Sequence, residues 1–161
     1  MEGPGAPDPE RLDDALGKAL TYLAKRDRTE SQVRHKLATV GVDEETVEGV
    51  LERLRELEYV DDERFAQTYA EDRRALDGWG SERISRGLRD AGIPEDLVAP
   101  ALAGHGRDDE LSGALEVLDR RLGAPPADDR ERERALGLLV RRGYELDLAY
   151  DAIRAFERNA A

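Results

Sequence analysis

The chain of 161 residues has no cysteine. Disulfides, thiolate metal sites and a cysteine nucleophile are therefore excluded. Aromatic residues make up 5%, with Trp79 the single tryptophan, so the core has to be aliphatic. The two histidines, His35 and His105, lie far apart, and neither has a partner at metal-ligand spacing. No apolar run approaches the roughly 18 residues of a membrane span. Met1–Pro9 lacks the basic start and apolar stretch of a secretory signal, so a cytoplasmic, non-membrane protein is expected. No segment alternates with period two long enough to read as a strand. The chain also lacks a GxxxxGK[ST] phosphate loop and a GxSxG elbow, and no catalytic residue, cofactor or metal is expected.

Charge and repetition are abundant instead. Charged residues make up 39% and the net charge is −12, with no basic or acidic block. Naked nucleic acid is disfavoured as the main partner, because that binding is driven by Lys and Arg displacing counterions. Ala, Leu, Arg and Glu dominate and favour helices with wide solvated faces. Gly41, Gly92 and Gly143 stand 51 residues apart, each followed by an apolar residue: Val42, Ile93 and Tyr144. The same offset relates Val33 to Ile84, Leu37 to Leu88 and Leu139, and Leu51 to Leu102 and Ile153. One structural unit used three times accounts for these coincidences.

The pattern predicts an all-α fold, an elongated array of three tandem three-helix repeats with about nine helices. Residues 1–9 form a disordered tail; the repeats span 10–58, 59–106 and 107–161. In the first repeat Thr29 and Gln32 form a capping box. The helix they open buries Val33, Leu37 and Val40, and Gly41 ends it in a left-handed conformation. In the second, Asp61-Asp62 caps a helix bearing Phe65, Ala66, Tyr69 and Leu76. Gly92 ends the next helix, and Pro94 takes the first helical position of the one after. In the third, Asp108-Asp109 opens a helix, Gly123–Pro126 is a linker, and Gly143 ends a charged helix over 128–142.

Three surface features are candidates for partner binding. The arginine stripe Arg83, Arg86, Arg89 fans over about a third of a helix circumference. It is either a solvated, acid-paired face or a contact for an acidic or phosphate-bearing surface. The junction Tyr59–Ala66, with Tyr69 and Arg73, reads as a helix cap with aromatics, and Asp61 and Asp62 are its polar candidates. Trp79, between Gly78 and Gly80, is either an interface anchor or a lid over an apolar gap between repeats.

These residues carry a family resemblance. Ala19–Leu37 (ALTYLAKRDRTESQVRHKL) resembles the opening "ALxxLxxRxRSxxELxxKL" of the RecX family of bacterial recombinase regulators. Gln32-Val33 stands where that family more typically has Glu-Leu. Tyr59–Ala66 (YVDDERFA) resembles its apolar-apolar-DDxxFA motif, and Tyr69, Arg73, Trp79-Gly80, Arg83-Ile84, Leu88 and Gly92-Ile93 follow in order. The resemblance covers about Leu16 to Leu102 well and the rest loosely. It implies a non-enzymatic regulatory protein that binds the RecA recombinase and its nucleoprotein filament and modulates, usually inhibits, strand exchange and ATP hydrolysis. The implied roles are DNA repair, DNA recombination and the SOS response. The acidic balance makes single-stranded DNA an indirect or weak partner, and a monomer is expected. The rival expectation is a helix-turn-helix-like DNA-binding protein, which would need a basic recognition helix.

Overall fold

The computed structural model describes residues 5–161. The first four residues of the tail expected over 1–9 lie outside them; residues 5–8 have no regular structure. Among the described residues there are nine helices and no strand: α1 (Pro9–Leu23), α2 (Glu30–Thr39), α3 (Glu44–Glu56), α4 (Asp62–Asp77), α5 (Ser81–Asp90), α6 (Glu95–Leu102), α7 (Arg107–Leu122), α8 (Asp129–Arg141) and α9 (Leu146–Asn159). Among the described residues no helix is long and apolar enough to cross a membrane. Two compact units emerge. One contains the residues up to Phe65 with Ala91–Ile93; the other contains Ala66–Asp90 and Pro94–Ala161.

In the first unit α1, α2 and α3 enclose Ala15, Ala19, Val33, Leu37, Val47, Val50, Leu51, Leu54 and Val60. Apolar residues at helical spacing supply this core, and each buried Leu contributes roughly 2 kcal/mol. Thr29 caps α2 in a complete capping box: Gln32 N–H donates to Thr29 Oγ1 at 3.1 Å, and Thr29 N–H donates to Gln32 Oε1 at 3.1 Å. Asp43 caps α3 by accepting from Thr46 N–H at 3.0 Å, and the Thr46 bonds hold its carboxyl below the usual range. Val40, expected to be buried, is 44% exposed, because α2 has already ended and no described element covers the turn.

The start of α2 also reaches residues far along the chain. The buried Thr29 hydroxyl donates to the Ala91 carbonyl at 2.6 Å. Glu30 N–H donates to Asp62 Oδ1 at 3.0 Å. Asp62 thus satisfies the first turn of α2, while Asp61 alone caps α4, accepting from Arg64 N–H at 3.0 Å. Burial pushes the Asp62 carboxyl up despite that bond.

In the second unit α7, α8 and α9 enclose Ala114, Leu118, Ala135, Leu139, Tyr144, Ala149 and Ile153. Ile84 and Leu88 of α5 and Val98 of α6 are also buried. α4 contributes Ala66 and Ala70. Leu76, expected on that face, is 74% exposed. Six residues past Ala70 is about 240° around the helix, on the far side. Pro94 is the cap preceding α6, one position earlier than expected, and the helix proper begins at Glu95. Gly106 holds the equivalent place before α7, with its N–H donating to Asp109 Oδ2 at 3.2 Å.

The start of α5 is seated much as the start of α2 is. Gly80 N–H donates to the Arg142 carbonyl at 2.8 Å and Glu82 N–H to the Gly143 carbonyl at 3.0 Å. Ser81 N–H donates to Glu110 Oε2 at 3.2 Å. Gly80, Ser81 and Arg142 lie 51 positions after Thr29, Glu30 and Ala91. One joint is therefore built twice, each time from a helix start, the carbonyl before a left-handed glycine, and a carboxylate from a third helix.

Candidate functional site

The elbow between α4 and α5 gathers four of the candidate residues. Gly78 has a positive φ of 63° and turns the chain out of α4. That turn brings Trp79 edge-to-face against Tyr69, with ring centroids 6.5 Å apart. The Arg83 guanidinium lies over the indole, 4.0 Å from its centroid. Arg73 sits 5.5 Å from both the Tyr69 and Trp79 centroids, and its Nη1 donates to Asp77 at 2.5 Å. Such cation–aromatic contacts contribute about 0.5–1 kcal/mol each at exposed sites. The Arg73 Nε–H is buried with no hydrogen-bond acceptor among the described residues. All four side chains are half-buried.

The cluster rests on a tight base. A Cβ added at Gly87 would lie 2.2 Å from the Tyr69 hydroxyl, so only glycine lets Tyr69 rest on α5. Arg83 Nη1 donates to the Arg141 carbonyl at 3.2 Å, tying α5 to the end of α8. Tyr144 donates its hydroxyl to the Gly78 carbonyl at 2.9 Å, and Arg142 bonds the Asp77 carbonyl. Burial pushes the Tyr144 phenol up to about 12. Burial also lowers the affinity of Arg74 for its proton, and its Nε–H has no acceptor among the described residues. Beside the elbow a cavity of about 370 Å³ is lined by Arg74, Trp79, His105, Glu110 and Tyr144 among others. No group of His, Asp or Glu among the described residues could hold a metal ion.

The arginine stripe does not act as one face. Arg83 is committed to Trp79 and Arg141, and Arg89 forms a two-pronged pair with Glu95 at 2.9 and 2.7 Å. That pair raises Arg89 and lowers Glu95. Arg86 and Arg89 are both exposed, and of the three only Arg86 makes neither an ion pair nor a ring contact among the described residues. Asp61 and Asp62 are occupied as described above, and Phe65 is half-buried. Tyr59, at the same junction, is 54% exposed.

The elbow also has a counterpart in the first unit. There Arg28 lies 4.2 Å over the Tyr22 ring. Positions 22 and 28 become 73 and 79 on adding 51, so Tyr22–Arg28 corresponds to Arg73–Trp79. The pairing persists while the ring and the cation exchange places. Neither Tyr144 nor Arg74 was legible as part of the elbow; the 51-residue offset was the available signal for Tyr144, and Arg74 had none.

Residues 15–54 match the model of the first three-helix domain of RecX, and residues 61–102 match that of the second. A regulatory protein RecX of Thermobifida fusca is 35% identical over 159 residues, spanning 95% of this chain and 85% of that protein. One from Mycobacterium sp. strain JLS is 32% identical over 152 residues, spanning 91% and 83%. The crystal structure of RecX from Lactobacillus salivarius superposes with a TM-score of 0.80 at 19% identity, covering 92% of this chain and 98% of that one. A second crystal structure of a regulatory protein RecX gives 0.74 at 26% identity, covering 96% and 81%. Identity at this level, over nearly the whole length and with two matching domain models, establishes that the chain belongs to the RecX family of regulatory proteins.

Proposed function

We propose that this protein is a cytoplasmic, monomeric, non-enzymatic regulator that binds the RecA recombinase and its nucleoprotein filament and lowers recombinase activity in DNA repair. The Tyr69–Arg73–Trp79–Arg83 cluster is the observation that carries the assignment of a contact surface. It joins rigid aromatics to guanidinium groups and leaves both half-exposed, which is the composition of protein-binding hot spots. Exposed, unpaired Arg86 extends the surface along α5. The repeats at 10–58, 59–106 and 107–161 would each offer a face, so several weak contacts along a filament add through effective concentration. Single-stranded DNA is contacted weakly or through the recombinase, given the net charge of −12.

The test is RecA-dependent ATP hydrolysis on single-stranded DNA with added protein. The wild type is expected to slow hydrolysis. Trp79→Ala and Arg86→Glu are expected to weaken that effect about tenfold or more in the concentration required. Unchanged inhibition by both variants, with unchanged melting temperature, would remove the elbow from the contact. No inhibition or binding by the wild type would remove the recombinase.

A further inference from the structure

The repeated joint leaves one part unmatched. Among the middle helices α2, α5 and α8, two starts are seated in a glycine turn: α2 at Ala91-Gly92 and α5 at Arg142-Gly143. The glycines are required for close approach. A Cβ at Gly92 would lie 2.3 Å from Ser31 Cβ, and one at Gly143 would lie 2.3 Å from Arg83 Cβ. The third turn of the set, Val40-Gly41, has the same left-handed backbone, with φ at 86° against 78° and 94°. A Cβ at Gly41 would meet nothing within 4 Å among the described residues. No hydrogen bond among those residues reaches the Val40 or Gly41 carbonyl. Val40 is 44% exposed; the residues after the glycines, Ile93 and Tyr144, are 4% and 3% exposed, whereas Val42 is only half-buried.

We propose that the Val40-Gly41 turn is a vacant third socket of this joint, and that its occupant is the first turn of a helix on a partner protein, with a small uncharged cap residue. The joints already built define that chemistry. Their cap residues are Thr29 and Gly80, which bring a hydroxyl or a bare N–H to the carbonyl before the glycine. The open end of α2 presents carbonyls and the negative end of its dipole, which complement the N–H groups and positive end of an incoming helix start. A second copy of this chain is a poor fit. Its remaining start, that of α8, is capped by Asp128, which accepts from Glu131 N–H at 2.8 Å. Seating it would press a carboxylate against two carbonyl oxygens. The surface belongs to the first unit and is separate from the elbow, and its test needs no recombinase.

The probe is a synthetic peptide of residues 26–39, which carries the α2 start with its Thr29–Gln32 capping box. It is titrated into the full-length isotope-labelled protein and followed by amide chemical shifts. Saturable shifts at Val40, Gly41 and Val42 are expected, weakened about tenfold by Val40→Asp in the protein, the loss of roughly one good hydrogen bond and its packing. A Thr29→Asp peptide is expected to weaken binding similarly, and it reads the same contact with an unaltered protein. Absence of saturable shifts up to millimolar peptide overturns the proposal, as do shifts confined to Ala91-Gly92. Concentration-dependent self-association of the chain, abolished by Val40→Asp, would give the socket to a second copy and overturn the assignment of the occupant.

Discussion

The Thr29 hydroxyl donates to the Ala91 carbonyl at 2.6 Å, across 62 positions of sequence, while the same oxygen accepts from Gln32 N–H to cap α2. One hydroxyl thus ends a helix locally and fastens it to a distant turn. Thr29 is fully buried and Ala91 half-buried, so the bond is largely sheltered from water. Thr29→Ala removes a cap and a long-range bond together and is expected to cost about 2 kcal/mol. Thr29→Ser keeps the oxygen and is expected to recover most of it. Urea denaturation of the two variants measures the difference.

The three glycines of the 51-residue set share a backbone conformation but differ in surroundings, so their alanine variants rank sharply. Gly41→Ala meets open space and is expected to cost about 1 kcal/mol, the price of a left-handed alanine. Gly92→Ala and Gly143→Ala drive a methyl into Ser31 and into the backbone and Cβ of Arg83. Each is expected to cost about 3 kcal/mol or more, since neither neighbour can move without breaking its joint. Melting temperatures of the three variants give the ranking, with a shift of roughly 2–4 °C for each kcal/mol.

Tyr144 links stability to alkaline pH. Its phenol, pushed by burial to about 12, keeps its proton in the folded chain where an unfolded tyrosine, near the ordinary 10.0, has lost it. The folded state binds more protons in that window, so stability falls as pH rises from about 10 to about 12. Tyr144→Phe is expected to flatten this part of the stability–pH curve. It also costs about 1 kcal/mol at neutral pH, from the lost bond to the Gly78 carbonyl. Denaturation at a series of pH values separates the two effects.

Glu58 is the one non-glycine residue with positive φ among the described residues, at 59°. It ends α3 where glycine is ordinarily preferred, with Tyr59 N–H donating to the Leu54 carbonyl at 2.9 Å. Glu58→Gly is expected to stabilise the chain by about 0.5–1 kcal/mol. A lower melting temperature would mean that the Glu58 side chain contributes more than its backbone conformation costs.

The expected and observed structures diverge where packing beyond a single helix decides. Leu37 and Val33 were legible as core, because their spacing puts them on one face with Val47, Leu51 and Leu54 to cover them. Val40 sits one turn further on the same pattern, yet nothing described covers it. Spacing marks which face a residue is on, not where the neighbouring element ends. Asp61 and Asp62 looked alike as caps, but only Asp61 caps its own helix, and Asp62 serves α2. The arginine stripe was visible as a spacing, whereas its division among Trp79, Glu95 and solvent was not. That division depends on residues brought close by turns at Gly78 and Pro94.

By itself the sequence determined the all-α class, the helix ends to within a residue or two at most turns, and the 51-residue repeat, because caps, left-handed glycines and apolar periodicity act within one or two turns of chain. Only the tertiary structure decided which glycine turn receives a helix start and which stands open, what Asp62 bonds, and how Tyr69, Arg73, Trp79 and Arg83 meet. Those contacts set donors, acceptors and rings from separate helices within a few ångströms of each other, and no local preference encodes that placement.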